Sequence, residues 1–164
     1  MKNLYALAAA VFICMVPAFS SEAAPLPDML GEWRATPLAV TGFETASRDL
    51  GQWQSRVYIR SAPPASIGVE LMEGSGPGSL RVPGGAKGTV SQSDAPLGFA
   101  STYRTLNISG KSAILERGEV TGQALAIAFD RNRTLTVETK SVSEEELLDF
   151  AARLTTALEA ERPR

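Results

Sequence analysis

GQALAIAFDRNRTLTVETKSVSEEELLDFAARLTTALEAE, residues 122–161, changes its hydrophobic period partway along, and that change decides the fold class. Leu125, Ile127 and Phe129 alternate with Ala124, Ala126 and Ala128. A period of two marks a strand, here with bulk on one face and, on the other, side chains small enough for something to approach closely. RTLTVETK follows after the turn DRNR as a second strand. From Ser143 onward the spacing becomes helical. Ser143 reads as an N-cap with Glu146 three residues on, a capping box, and Val142 with Leu147 forms a hydrophobic staple. Leu147, Phe150, Ala151, Leu154 and Leu158 line one face, which predicts an amphipathic helix over about residues 144–160. Three glutamates, Glu144 to Glu146, sit where the helix dipole is positive and read as a solvated first turn rather than a cation site.

Working outward, SAILER precedes GEVTG and GQALAIAFD, so two hairpins in a meander are the economical reading. Residues 99–109 have strand composition, and the glycosylation-like triplets at Asn107 and Asn132 carry little weight in a bacterial-looking chain. In WQSRVYIRS, Trp53, Val57 and Ile59 alternate against Gln54, Arg56, Tyr58 and Arg60, a half-buried strand that pairs with IGVELM, residues 67–72, across SAPPA. Residues 26–50 are undecided between strand, irregular structure and a helical turn. The expected fold is α+β: an antiparallel sheet of about five to six strands with the C-terminal helix packed on one face.

MEGSGPGSLRVPGGAKGT, residues 72–89, carries six glycines and one lysine and invites comparison with a phosphate loop. A Walker loop needs Gly-Lys followed directly by Ser or Thr and then a helix. Here Lys87 is followed by Gly88, and TVSQSDAPLG has no helix to receive an anion. Gly74, Gly76 and Gly78 fail as a dinucleotide fingerprint because strand-like SLRVP stands in the place of the helix. The stretch reads as a Gly/Pro-rich loop over about residues 73–96, and its length makes Gly74, Gly76, Arg81 and Lys87 candidates for contact with a partner.

At the N-terminus Lys2 precedes the apolar run LYALAAAVFICMVPAF, which Pro17 interrupts and small residues follow. This is the order of a secretory signal peptide, residues 1–23, with cleavage expected after Ser20 or Ala23. At about 16 residues the run is short of the roughly 20 that a spanning helix needs. Cys14 lies inside the run, so the mature chain would have no cysteine, and the whole sequence has no histidine. A secreted domain without disulfides is held by its core alone, and about 140 residues can build one such core. Lacking both residue types, the mature chain has no Ser-His-Asp site, no thiol nucleophile and no common nitrogen or sulfur metal ligands. No cofactor is expected. The net charge of -2, with arginines scattered among acids, points away from nucleic acid, and no further apolar run reaches membrane-spanning length.

What remains for catalysis is carboxylate, lysine, tyrosine or serine-lysine chemistry; Glu70 and Glu73 or Glu116 and Glu119 are the candidate carboxylate pairs, but nothing in the sequence forces one of them into an apolar pocket. Asp130, Asn132 and Thr134 have the alternate spacing that opens a calcium loop, yet the later Gly and closing Glu are missing, so FDRNRT reads as a hairpin turn. Trp33 and Trp53 read as core or edge residues rather than as a sugar platform. The stretch ISGKSAILERGEVTGQALAIAFDRNRTLTVETKSVSEEELLDFAARL, residues 108–154, resembles the ending of small extracytoplasmic bacterial modules of the Mog1/PsbP-like or sensor-type α+β kind. That resemblance implies a sheet with a helix on one face and a role in protein interaction or assembly. The expectation is a secreted or periplasmic, non-catalytic binding or accessory module engaging a protein partner. An apolar-ligand carrier between sheet and helix is the alternative, and a carboxylate-dependent hydrolase comes third.

Overall fold

The computed structural model describes residues 25–45, 48–74, 87–90 and 101–161. In chain order the elements are β1 (Met29–Leu30), β2 (Trp33–Ala35), β3 (Ala39–Thr45), β4 (Arg48–Ser61), β5 (Pro64–Gly74), β6 (Lys87–Val90), β7 (Ser101–Ile108), β8 (Lys111–Gly118), β9 (Gly122–Ala128), β10 (Arg133–Thr139) and α1 (Glu144–Ala160). The strands form one antiparallel sheet in the order β1-β2-β4-β5-β10-β9-β8-β7-β6, with β3 beside β4.

The expected five to six strands are therefore too few: ten are present among the described residues, and the class remains α+β. Four of the additional strands explain themselves. β1, β2 and β3 lie in the undecided stretch, where Gly31, Pro37 and Gly42 break any local period, and β6 lies inside the glycine-rich stretch. β2 and β3 exist because β4 offers them backbone partners, β6 because β7 does, and β1 pairs in turn with β2, none of which a local pattern reports. At Thr36 the backbone N–H donates to the Val57 carbonyl (2.8 Å) and Oγ1 accepts from the Val57 N–H (3.0 Å). β2 and β3 thus run end to end along the same edge of β4, joined by residues 36–38.

α1 begins as its sequence demands, with the Glu146 N–H donating to Ser143 Oγ (3.2 Å). The capping box is only half made, because the Glu146 carboxylate accepts from Arg60 of β4. Glu144 accepts from Arg104 of β7 and Arg117 of β8 (3.1 Å for the latter), so two of the three first-turn glutamates bind the sheet rather than water. At the other end Lys111 donates to Glu159 (2.8 Å). Lys111 to Arg117 covers about 20 Å of strand and Glu144 to Glu159 about 22 Å of helix, so α1 lies antiparallel along β8.

β4 and β7 are five steps apart in the sheet, about 24 Å if it were flat, whereas a helix with its side chains is only about 10–12 Å across. Arg60 and Arg104 still reach the same helical turn. The sheet is therefore curled around α1. Inside the curl Leu147, Phe150, Ala151, Leu154 and Leu158 pack against Ile67, Val69, Leu115, Leu125, Ile127 and Leu135, all buried. Phe150 is the hub, edge-on to Tyr58 (centroids 5.2 Å apart) and to Trp33 (5.6 Å), and Arg60 lies 4.6 Å over the Trp33 ring.

Removing that hub should cost the most of any single truncation in α1: Phe150→Ala is expected to lower unfolding free energy by about 3–5 kcal/mol in a urea titration. Tyr58 gives a second test. Burial, opposed by the Arg56 charge and reinforced by Asp28 and Glu161, pushes its hydroxyl up to about 12 from an ordinary 10. The folded state holds a proton that the unfolded chain releases earlier, so the associated stability is complete below pH 10 and is lost as pH rises towards 12. Tyr58→Phe should cost about 0.5–1.5 kcal/mol at neutral pH through loss of the bond to the Pro27 carbonyl, yet show a shallower fall of Tm across the alkaline range.

Candidate functional site

The side chains of β4 lie opposite to what their polarity suggests. Tyr58 is fully buried and Gln54 is 3 % exposed, while Val57 and Ile59 are 41 % and 48 % exposed. The polar residues face inward because each finds a partner there. Gln54 Oε1 accepts from the Leu26 N–H (3.1 Å), Tyr58 Oη donates to the Pro27 carbonyl (2.8 Å), Arg56 pairs with Asp28 and Arg60 with Glu146. A polar tip with a partner can be buried, and the aliphatic residues between then have no choice but to face out.

The strand register extends that outer face across the sheet. Val57 lies opposite Gly68, Gly68 opposite Glu138, Glu138 opposite Ala124, and Ala124 opposite Glu116. The next row holds Ser55, Glu70, Thr136 and Ala126. A third row, Trp53, Met72 and Thr134, is closed: Met72 and Thr134 are buried, and Phe43 meets Trp53 edge-on at 4.6 Å. The open rows contain an open groove of about 280 Å³. Its side wall is Thr36, Pro37 and Ala39, where the chain passes from β2 to β3, and its floor is Ser55, Val57, Gly68, Glu70 and Glu138. Arg56 and Val69 also line it, but in register they belong to the helix-side face, where the Arg56 guanidinium pairs with Asp28.

Small side chains make the groove and carboxylates charge it. A Cβ at Gly68 would meet only the Glu138 carbonyl, at an ordinary 3.8 Å, so the space above Gly68 comes from the absent side chain and not from a strained backbone. Glu70 is the diagonal neighbour of Glu138 on adjoining strands, about 7–8 Å away between Cα atoms. The Glu138 carboxyl is held above its usual range, first by loss of water and then by the charges of Glu70 and Glu116. Although Glu138 is exposed overall, the walls shield part of it, and the exposure keeps the effect modest. None of Glu70, Glu116 and Glu138 has an ion pair or hydrogen bond with a described residue. Arg34, which the register sets beside Ile59, and Lys140, two residues beyond Glu138, are the cations nearest to the face in register, and neither forms an ion pair among the described residues.

The residues singled out from sequence fare differently. Gly74 ends β5 at φ 109°, opposite Gly51, and its N–H donates to the Asn132 carbonyl (2.6 Å), which gives it a structural task. Lys87 opens β6, so the expected loop contains a strand paired to β7. Gly76 and Arg81 lie outside the described residues. Glu73 accepts from Gln52 Nε2 (3.0 Å) on the helix side of β5, away from Glu70, and Glu119 is in the turn before β9. Asp130 accepts from the Asn132 N–H (3.0 Å) and pairs with Arg133 (2.8 Å), closing the β9–β10 turn. Among the described residues no three acidic, histidine or cysteine side chains gather as a metal site, and no helix is long and apolar enough to cross a membrane. Glu138 was missed as a site residue because its partner Glu70 is remote in sequence; the three alternate alanines of β9 were the available signal, and they do lie on this outer face.

The carboxylate crowding gives a signed expectation. A carboxyl with a raised folded-state pKa favours folding below its unfolded value and opposes it once pH rises through the folded value. Glu138→Gln should therefore raise Tm at neutral pH, by the equivalent of about 0.2–1 kcal/mol, and lose that advantage in acid, as read by thermal unfolding across a pH series. The chain matches no family model, no curated protein and no solved structure, so what this face can do has to be read from its own residues.

Proposed function

We propose that this protein is an extracytoplasmic, non-catalytic binding or accessory module that engages a protein partner through the outer face of its sheet. The observation that carries the reading is the open groove flanked by exposed Val57 and Ile59 on the face turned away from α1. Val57 and Ile59 are two of the five large hydrophobic residues exposed among the described residues, and their adjacency beside a groove is the pattern of a contact surface. The signal-peptide pattern of residues 1–23 supports the compartment.

The competing readings have less behind them. Between α1 and the sheet, where an apolar ligand would sit, the space is occupied by Phe150, Leu154, Leu125, Ile127 and their neighbours. A hydrolase would want its acid enclosed, whereas Glu70 and Glu138 are both exposed, and Trp33 and Trp53 are engaged with Phe150 and Phe43 rather than offered as a sugar platform.

The test uses the double variant Val57→Gln/Ile59→Gln as bait in a periplasmic extract. Both side chains are exposed, so unfolding free energy should shift by no more than about 1 kcal/mol. Partner recovery should drop sharply relative to the unaltered chain; equal recovery by both would overturn the reading.

A further inference from the structure

We propose that the groove takes a cationic side chain of the partner, arginine or lysine, with its charged head between Glu70 and Glu138 and its aliphatic stem lying over Gly68 and against Val57. This deepens the binding reading above and rests on it.

Apart from Arg34, which the register sets beside Ile59 on the outer face, charge is sorted across the sheet. Arg56, Arg60, Arg104, Lys111 and Arg117 all face the helix side and all are paired there, with Asp28, Glu146, Glu144, Glu159 and Glu144. Glu70, Glu116 and Glu138 face the other way and are paired with no described residue. Like charges on neighbouring strands destabilise a sheet, and here no described residue offsets them. The folded chain therefore presents an unmet demand for positive charge at a defined place.

The shape of the place selects the kind of cation. A metal ion would need more oxygen ligands than Glu70 and Glu138 supply, and no metal-holding cluster exists among the described residues. A diagonal pair of carboxylates about 7–8 Å apart at Cα can instead grip one guanidinium or ammonium from two sides, each through a charge-assisted bond. Gly68 and Ser55 leave the floor low enough for an aliphatic stem, and exposed Val57 gives that stem an apolar wall. The partial loss of water at Glu138 also strengthens the attraction beyond that of a fully solvated carboxylate.

The probe is an N-acetylated hexa-arginine amide titrated calorimetrically into the full chain, with hexa-lysine and hexa-glutamate peptides beside it. Hexa-arginine and hexa-lysine should bind, more weakly as salt is raised from about 20 to about 500 mM, and hexa-glutamate should not. Glu70→Gln/Glu138→Gln should weaken binding at least about tenfold. Gly68→Phe keeps both charges but fills the floor, and should weaken it comparably. Glu119→Gln/Glu145→Gln makes the same change in net charge at exposed positions elsewhere and should alter affinity by less than about twofold. Equal weakening by the two double variants would reduce the effect to overall charge and overturn the proposal, as would unimpaired binding by Gly68→Phe. Partner capture separates the two levels: loss with Val57→Gln/Ile59→Gln but retention with Glu70→Gln/Glu138→Gln would remove the cationic occupant and leave the binding reading standing, while retention by both would remove both.

Discussion

Phe150 touches Tyr58 and Trp33 edge-on, and around that contact a sheet much wider than a helix has to close on one helix. A flat sheet would bury α1 along two or three strands and leave the rest of its inner face wet. Curling brings β4 on one side and β7 and β8 on the other to the same first turn of α1, where Glu146 and Glu144 bind their arginines. The Glu144 and Glu146 side chains are only 23 % and 30 % exposed, so the attraction in these pairs is offset by the water the carboxylates give up, and each adds little net stability. Their contribution is geometric, since they hold the two margins of the curl to a single helical turn.

That closure settles the side-chain direction in β4, which local polarity alone gets wrong. Val57 and Ile59 look like the buried face of a half-buried strand. The helix instead takes Tyr58, whose ring packs on Phe150 and whose hydroxyl reaches the Pro27 carbonyl, and with Tyr58 inward every even-numbered neighbour follows. Burying Gln54, Arg56 and Arg60 is affordable only because Leu26, Asp28, Glu32 and Glu146 meet them. Those partners come from the N-terminal segment and the helix, 28 or more residues distant in sequence.

Legibility in the sequence follows the same division between local and remote causes. The helix, its serine cap and the β8–β9–β10 meander rest on periodicity, caps and turn residues, all local, and they are found where those signals put them. β1 to β3 and β6 rest on pairing with strands already present, so short, Gly- and Pro-broken segments became strands without any local sign of it. The groove was partly legible: the alternate alanines of β9 announce a face with little bulk, and in IGVELM Glu70 alternates with the apolar Val69 and Leu71. Its second carboxylate was not, because Glu138 meets Glu70 only through the β5–β10 register, which neither strand encodes alone.

Inner and outer faces of this sheet therefore differ in how completely they are resolved. On the inner face the core residues are packed out of water and most buried polar groups have found an opposite, although Arg56 Nε, Gln123 Oε1 and Thr155 Oγ1 have no hydrogen-bond partner among the described residues and Val40, opposite Gln54, stays exposed. On the outer face Val57 and Ile59 remain wet, Glu138 sits partly dehydrated beside two like charges, and Gly68 leaves space that a larger residue could have filled without strain. Each of these departs from what stability alone would favour, and the strand register brings them together in two adjacent rows rather than scattering them over the surface. Local rules broken together at one place mean that stability alone does not account for the residues of this face.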